Sequence, residues 1–178
     1  MNREWSAGRM VETVEPQGLS RWKLIHASGA QVEGYRHGAH IVSWRDAGGN
    51  EQLFLSPQSY FQADRPIRGG IPLVFPQFGD GPLPKHGFAR ILPWVPVDGS
   101  ETESGALALT LRLTDSPATA AHGAPPFSTD LTVELAAETL TLAWSIVHRG
   151  ARPWRVACAF HTYFRVAEIG RTAVEGLQ

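Results

Sequence analysis

Two histidines stand in company that suits chemistry. His86 lies in Lys85-His86-Gly87-Phe88-Ala89-Arg90, with a cation on either side and a glycine beside it that lets a ligand approach the backbone closely. His161 lies in Ala159-Phe160-His161-Thr162-Tyr163-Phe164-Arg165. Alternation along an extended segment puts His161, Tyr163 and Arg165 on one face, polar and aromatic like a platform for a sugar, and Phe160, Thr162 and Phe164 on the other. Imidazole titrates at about 6.5, so it keeps a usable protonated fraction near neutrality and suits a general acid. Arginines add a second theme. Arg68 precedes Gly69-Gly70, and Arg90 closes the stretch that starts at Lys85. A guanidinium grips phosphate or carboxylate oxygens with a planar fork of donors, and backbone amides beside paired glycines can add more, so an anionic group on a small substrate fits them.

Other chemistries lack their patterns. Gly69-Gly70 has neither the spacing of a phosphate-binding loop nor a following helix, and no G-x-S-x-G elbow occurs. The single cysteine, Cys158, excludes an internal disulfide and a cysteine-based zinc knot, and fits a reducing compartment. No His-x-His or His-Glu-x-x-His occurs, so a metal site would need ligands gathered from distant strands. No metal and no cofactor are expected. His26, His37, His122 and His148 read as solvated polar residues, and His40 is left open.

The elements that must position these groups read as strands. Leucine recurs at every second position through Ala106–Leu113, and the same period returns in Leu131–Leu135 and Leu140–Ile146, with Ala137-Glu138-Thr139 as a turn. Arg21–His26, Gln31–Tyr35 and His40–Arg45 add shorter strands, and only Ser56–Ala63 looks mildly helical. The architecture expected is antiparallel β, sandwich-like. Between the strands, Arg65–Pro96 is dense in Gly, Pro and aromatics, and a structureless connection of that length usually carries function.

Composition agrees. The 178 residues are 43% hydrophobic and 19% charged, a globular mix, with 18 Gly and 13 Pro scattered among apolar runs. Lys plus Arg number 16 and Asp plus Glu 17, a formal net charge of −1, which argues against a nucleic-acid partner. The charged opening, Met1–Glu15, holds no apolar run fit for a signal peptide or a membrane span, so the expected setting is cytoplasmic, away from membranes. One domain over residues 1–178 is expected, with no internal boundary.

Taken together, Pro66–Pro72, Phe75–Gly79, Leu83–Arg90 and His161–Val166 resemble the aldose 1-epimerase (galactose mutarotase-like) superfamily, and within it the glucose-6-phosphate 1-epimerase, or hexose-6-phosphate mutarotase, branch. Gly38–Trp44 and Leu53–Ser56 echo the family's early strands. The resemblance implies an antiparallel β-supersandwich, a hexose 6-phosphate substrate, His161 and His86 as the two active-site histidines, and Arg68, Lys85 and Arg90 at substrate-contact positions. It further implies His161 as the acid at the ring oxygen and His86 as the group that orients and polarises the sugar. Phe88, Tyr163 and Phe164 are candidates to stack on the sugar, though core packing is the commoner use of such rings. One departure matters. The family continues beyond Val174–Gln178 and there supplies a catalytic glutamate and a substrate-binding aspartate, so this chain is expected to be the N-terminal portion. A non-catalytic sugar-phosphate binding module and an enzyme for unphosphorylated aldoses are the alternatives.

Overall fold

A computed structural model describes residues 2–16 and 18–176. Of the terminal stretch Val174–Gln178, Leu177 and Gln178 lie outside the described residues. Five strands, β1 (Arg3–Trp5), β2 (Gly8–Val14), β3 (Ser20–His26), β4 (Gln31–Tyr35) and β5 (His40–Arg45), form one antiparallel sheet in chain order. Four more, β7 (Val95–Glu101), β8 (Leu107–Thr114), β9 (Phe127–Leu135) and β10 (Leu140–His148), form a second antiparallel sheet, also in chain order. A third pairing joins β6 (Leu73–Val74) to β11 (Ala159–Phe160) across the long irregular middle. The fold is the antiparallel β-sandwich expected.

Alternation explains the packing. Leu107, Leu109, Leu111 and Leu113 of β8 and Leu131, Val133 and Leu135 of β9 point inward and are buried, meeting Trp22, Leu24, Val32 and Ile41 from the first sheet in one core. Full burial of each such side chain contributes about 1.5–3 kcal/mol. The irregular segment enters the same core through Leu73, Phe75, Phe88 and Trp94. Phe75 is its hub, touching the rings of Phe88, Phe127, Trp144 and Trp154. The outer face of the first sheet carries a smaller cluster, Leu19, Tyr35, Val42 and Ile67, covered by Leu55 and Phe61.

Several expectations need correction. Ser56–Ala63 forms no helix; among the described residues the one α-helix, α1, is the four-residue Pro117–Ala120, set by Ser116 and Thr119 in a reciprocal capping box. Strands β1, β2, β6 and β7 are absent from the sequence reading. In β2 the alternation is carried by Met10 alone as a buried residue, and Pro96 in β7 masks a strand that carries a bulge there. Of the stretch Ala159–Arg165 only the first two residues are regular strand, yet the rest stays extended: His161 N–H donates to the Pro72 carbonyl at 3.0 Å, Tyr163 N–H to Gly70 at 2.9 Å and Arg165 N–H to Gln52 at 2.9 Å.

Candidate active site

The chain reversal at Gly79–Gly87 places His86. Its backbone N–H donates to the Gly79 carbonyl at 2.9 Å, and the Gly79 N–H donates back to His86 Nδ1 at 3.1 Å. Because Nδ1 accepts a bond from a backbone amide, the neutral ring carries its proton on Nε2. Gly87 is required next: at φ +76°, an added Cβ would stand 2.1 Å from the Phe75 carbonyl oxygen. The loop is thereby pressed onto the hub of the core, and His86 itself takes a φ of 64°.

His161 arrives from the far end of the chain, held by the backbone bond to Pro72. Its ring centroid is 5.6 Å from that of His86, and it also stacks on Tyr163 at 4.9 Å with 28° between planes. Phe78, 58% exposed, meets His86 edge-on at 5.3 Å. Four rings, Phe78, His86, His161 and Tyr163, therefore make successive contacts, with both imidazoles half-buried and Phe78 and Tyr163 more exposed. The stacking of His161 on Tyr163 agrees with the expected shared face, while Phe160 turns the other way onto Trp144 at 5.6 Å.

The cations divide. Arg90, in the 3-10 turn Ala89–Ile91, is half-buried and donates from Nη2 to the Lys85 carbonyl at 2.5 Å. Its Nε is buried without a partner among the described residues. Partial burial, then the charges of Arg90, His161 and Lys85, hold the His86 pKa below the ordinary histidine value, against a smaller opposing pull from Asp80. Lys85 is exposed, its Nζ 3.5 Å from Asp80 Oδ2. Arg68 turns to another ring: its guanidinium and that of Arg65 face Tyr60 at 6.0 and 4.8 Å, and its main chain is bonded to Ser59. The structure thus brings His86 and His161 together, with Arg90 and Lys85 acting on His86, and sets Arg68 beside Tyr60.

Other residues fall differently from the sequence reading. Phe88 is fully buried, whereas Tyr163 and Phe164 are 40% and 66% exposed. His37 is 4% exposed, not solvated, and His40 is fully buried. Both were missed because nothing in His37-Gly38-Ala39-His40 shows which carbonyls they would reach. Phe78 was also passed over, although its place seven residues before a glycine-flanked histidine-bearing turn was a usable signal. No carboxylate is hydrogen-bonded or ion-paired to either ring among the described residues, where Glu168 pairs with Arg171 and Asp80 with Lys85. Nor do three His, Cys, Asp or Glu side chains gather there as a ligand set for a metal. No helix in that part of the chain is long and apolar enough to cross a membrane.

Similarity to known proteins covers most of the chain. The family model for aldose 1-epimerase matches residues 20–178. A protein of Escherichia coli K12 named "Putative glucose-6-phosphate 1-epimerase" is 37% identical over 178 residues, covering 94% of this chain and 58% of its own. A protein of the same name from Cenchrus ciliaris is 34% identical over 175 residues, covering 92% and 52%. Among solved structures, a "putative mutarotase" from Salmonella typhimurium aligns with a TM-score of 0.59 at 30% identity, covering 73% of this chain and 47% of that one. A galactose mutarotase-like protein from Clostridium acetobutylicum aligns with a TM-score of 0.73 at 17% identity, covering 90% and 55%, and shares the fold. The chain spans about half the length of the curated relatives it matches. With the match running from β3 to the end of the chain and through both histidine motifs, the chain belongs to the aldose 1-epimerase family.

Proposed function

We propose that the paired imidazoles form the acid side of a mutarotase site for a hexose 6-phosphate, with His161 and His86 in catalytic positions. Anomer interconversion needs a base to take the proton of the anomeric hydroxyl and an acid to protonate the ring oxygen as the C1–O5 bond breaks. The open aldehyde turns about C1–C2, the freed hydroxyl attacks the other face, and both protons return. His161 is the acid at the ring oxygen. His86, kept neutral near pH 7 by burial and neighbouring cations and bearing its proton on Nε2, donates a hydrogen bond that orients and polarises the sugar. Arg90 and Lys85 supply positive charge beside the rings, and Arg68, which faces Tyr60, is the further cation in this reading, a set that favours a phosphorylated sugar over a neutral one. Tyr163 and Phe78 offer ring faces beside the imidazoles. The relatives' printed names point to the same substrate, and the cytoplasmic setting belongs to this proposal. The observation that carries it is the 5.6 Å approach of the two imidazoles, brought together from distant parts of the chain.

A second reading, sugar-phosphate binding without turnover, is favoured by the lack of a carboxylate bonded to either ring among the described residues. One pair of measurements separates the two. Exchange of freshly dissolved α-glucose 6-phosphate, followed by NMR on the 178-residue chain, is expected to be faster than in buffer and to fall on the order of 100-fold or more in His161→Ala. An equal rate in both proteins rejects the mutarotase reading. Calorimetry that still shows binding then supports the second.

A further inference from the structure

His37-Gly38-Ala39-His40 is a tight turn entering β5, held against the far side of the site by Gly38 N–H to the Leu92 carbonyl at 2.8 Å and by Trp94 N–H to the Arg36 carbonyl at 2.8 Å. Both of its histidines are buried, and both spend a ring nitrogen on the same loop. His37 Nε2 lies 2.8 Å from the Arg65 carbonyl, and His40 Nε2 lies 2.7 Å from the Gly69 carbonyl. A carbonyl only accepts, so each ring is the donor and each carries its proton on Nε2. Between the two anchored carbonyls sits Arg68.

What Gly69 and Gly70 do next ties this loop to the imidazole pair. Their φ values are +88° and +62°, and a Cβ would stand 2.4 Å from the Phe54 carbonyl oxygen at Gly69 and 2.1 Å from that of Ile41 at Gly70. The peptide between them is fixed at both ends: its C=O accepts from His40, and its N–H donates to the Phe54 carbonyl at 2.7 Å. The next carbonyl, that of Gly70, accepts the Tyr163 N–H at 2.9 Å, and two residues on Pro72 accepts the His161 N–H at 3.0 Å. Tyr163 carries the ring on which His161 stacks. The orientation of one peptide group therefore sets where the His161–Tyr163 strand lies against His86.

We propose that His37 and His40 form a neutral two-point clasp on the Arg65–Gly70 loop, and that His40, through the Gly69-Gly70 peptide, is a positioning residue for the His86–His161 pair. This rests on the mutarotase reading only for its effect on rate; the clasp itself is a matter of hydrogen bonds. Burial supports it. The His40 pKa is pushed down to about 4, chiefly by desolvation, and that of His37 is lowered for the same reason, so both are uncharged donors near neutrality.

Nitrogen-15 NMR of the wild-type chain tests the clasp directly. His37 and His40 are expected as Nε2–H tautomers, with His40 uncharged down to pH 5, and a proton on Nδ1 or an ordinary titration near pH 6.5 overturns the proposal. His40→Gln keeps a donor at the place of Nε2, and His40→Phe keeps a ring without one. The ring resonances of His86 and His161 are expected to shift in His40→Phe and to return towards wild type in His40→Gln, with α-glucose 6-phosphate exchange slowed on the order of 10- to 100-fold in the first and largely restored in the second. Equal effects of the two substitutions in both readouts make His40 mere packing and overturn the positioning role. If wild type gives no exchange, the catalytic reading fails while the resonances still decide the clasp, and if His40→Phe does not fold, the wild-type tautomers and the Gln variant decide it.

Discussion

The second sheet and the site loops are built on opposite principles. From β7 to β10 the chain is a meander of neighbours in sequence, joined by short turns except for the α1 excursion between β8 and β9, and its inward positions are filled by interchangeable apolar side chains. The site is assembled from four distant pieces, around residues 37–40, 65–70, 79–90 and 159–165. Main-chain carbonyls and close-set glycines hold them together rather than side-chain alternation. The sheet tolerates changes of shape at a cost proportional to lost volume. The site depends on particular hydrogen-bond partners, and one misplaced peptide moves a ring. Stability and function should therefore separate under mutation.

Leu131→Ala makes the sharpest test on the sheet side. The residue is fully buried in the middle of β9, and its truncation is expected to cost about 2–5 kcal/mol in denaturant unfolding while leaving the His86 and His161 ring resonances near their wild-type positions. Resonance changes as large as those of the site variants would break the division between the two regions.

Acid should reveal the buried clasp next. Above pH 6.5 His40 is neutral folded and unfolded, so its contribution is complete. As pH falls from about 6.5 towards 4, the unfolded chain takes up a proton that the folded chain refuses, and stability drops by up to about 3 kcal/mol. Burial presses the His40 pKa down most, the Gly69 carbonyl opposes it, and His37 and Arg90 add smaller pushes downward. His37 adds a loss of the same sign. Unfolding measured from pH 7 to 5 is expected to lose much of this slope in His40→Gln, and an unchanged slope would remove His40 from the account.

Gly87→Ala is expected to cost about 1–3 kcal/mol from its left-handed backbone alone, with a further cost because its Cβ would stand 2.1 Å from the Phe75 carbonyl oxygen, which is main chain and has to shift. That shift should reach the site, since His86 is the neighbouring residue: the His86 and His161 resonances should lose their mutual dependence and glucose 6-phosphate binding should weaken. A stability loss with binding intact would show the loop to be packing alone.

Legibility in the sequence followed the same division. Strands β3, β4, β5, β8 and β10 match the sequence reading to within two residues, while β9 starts four residues before the Leu131–Leu135 run in which its two-residue period is clearest. Strands β2 and β7 were lost where one buried residue or a proline bulge obscured the period. His86 and His161 were visible through their neighbours, and Arg90 through its spacing. His37 and His40 were not, because a histidine's partner here is a carbonyl 28 or 29 positions away, and carbonyls have no sequence signature.

Residue order by itself determined the antiparallel sandwich, the two imidazole motifs and their cationic surroundings, since each is written in local period or composition. Only the tertiary structure decided that the two rings stand 5.6 Å apart, that Arg68 turns to Tyr60, and that two further histidines are buried donors. Those outcomes depend on where backbone groups far apart along the chain come to rest, and packing against the shared core around Phe75 sets that position.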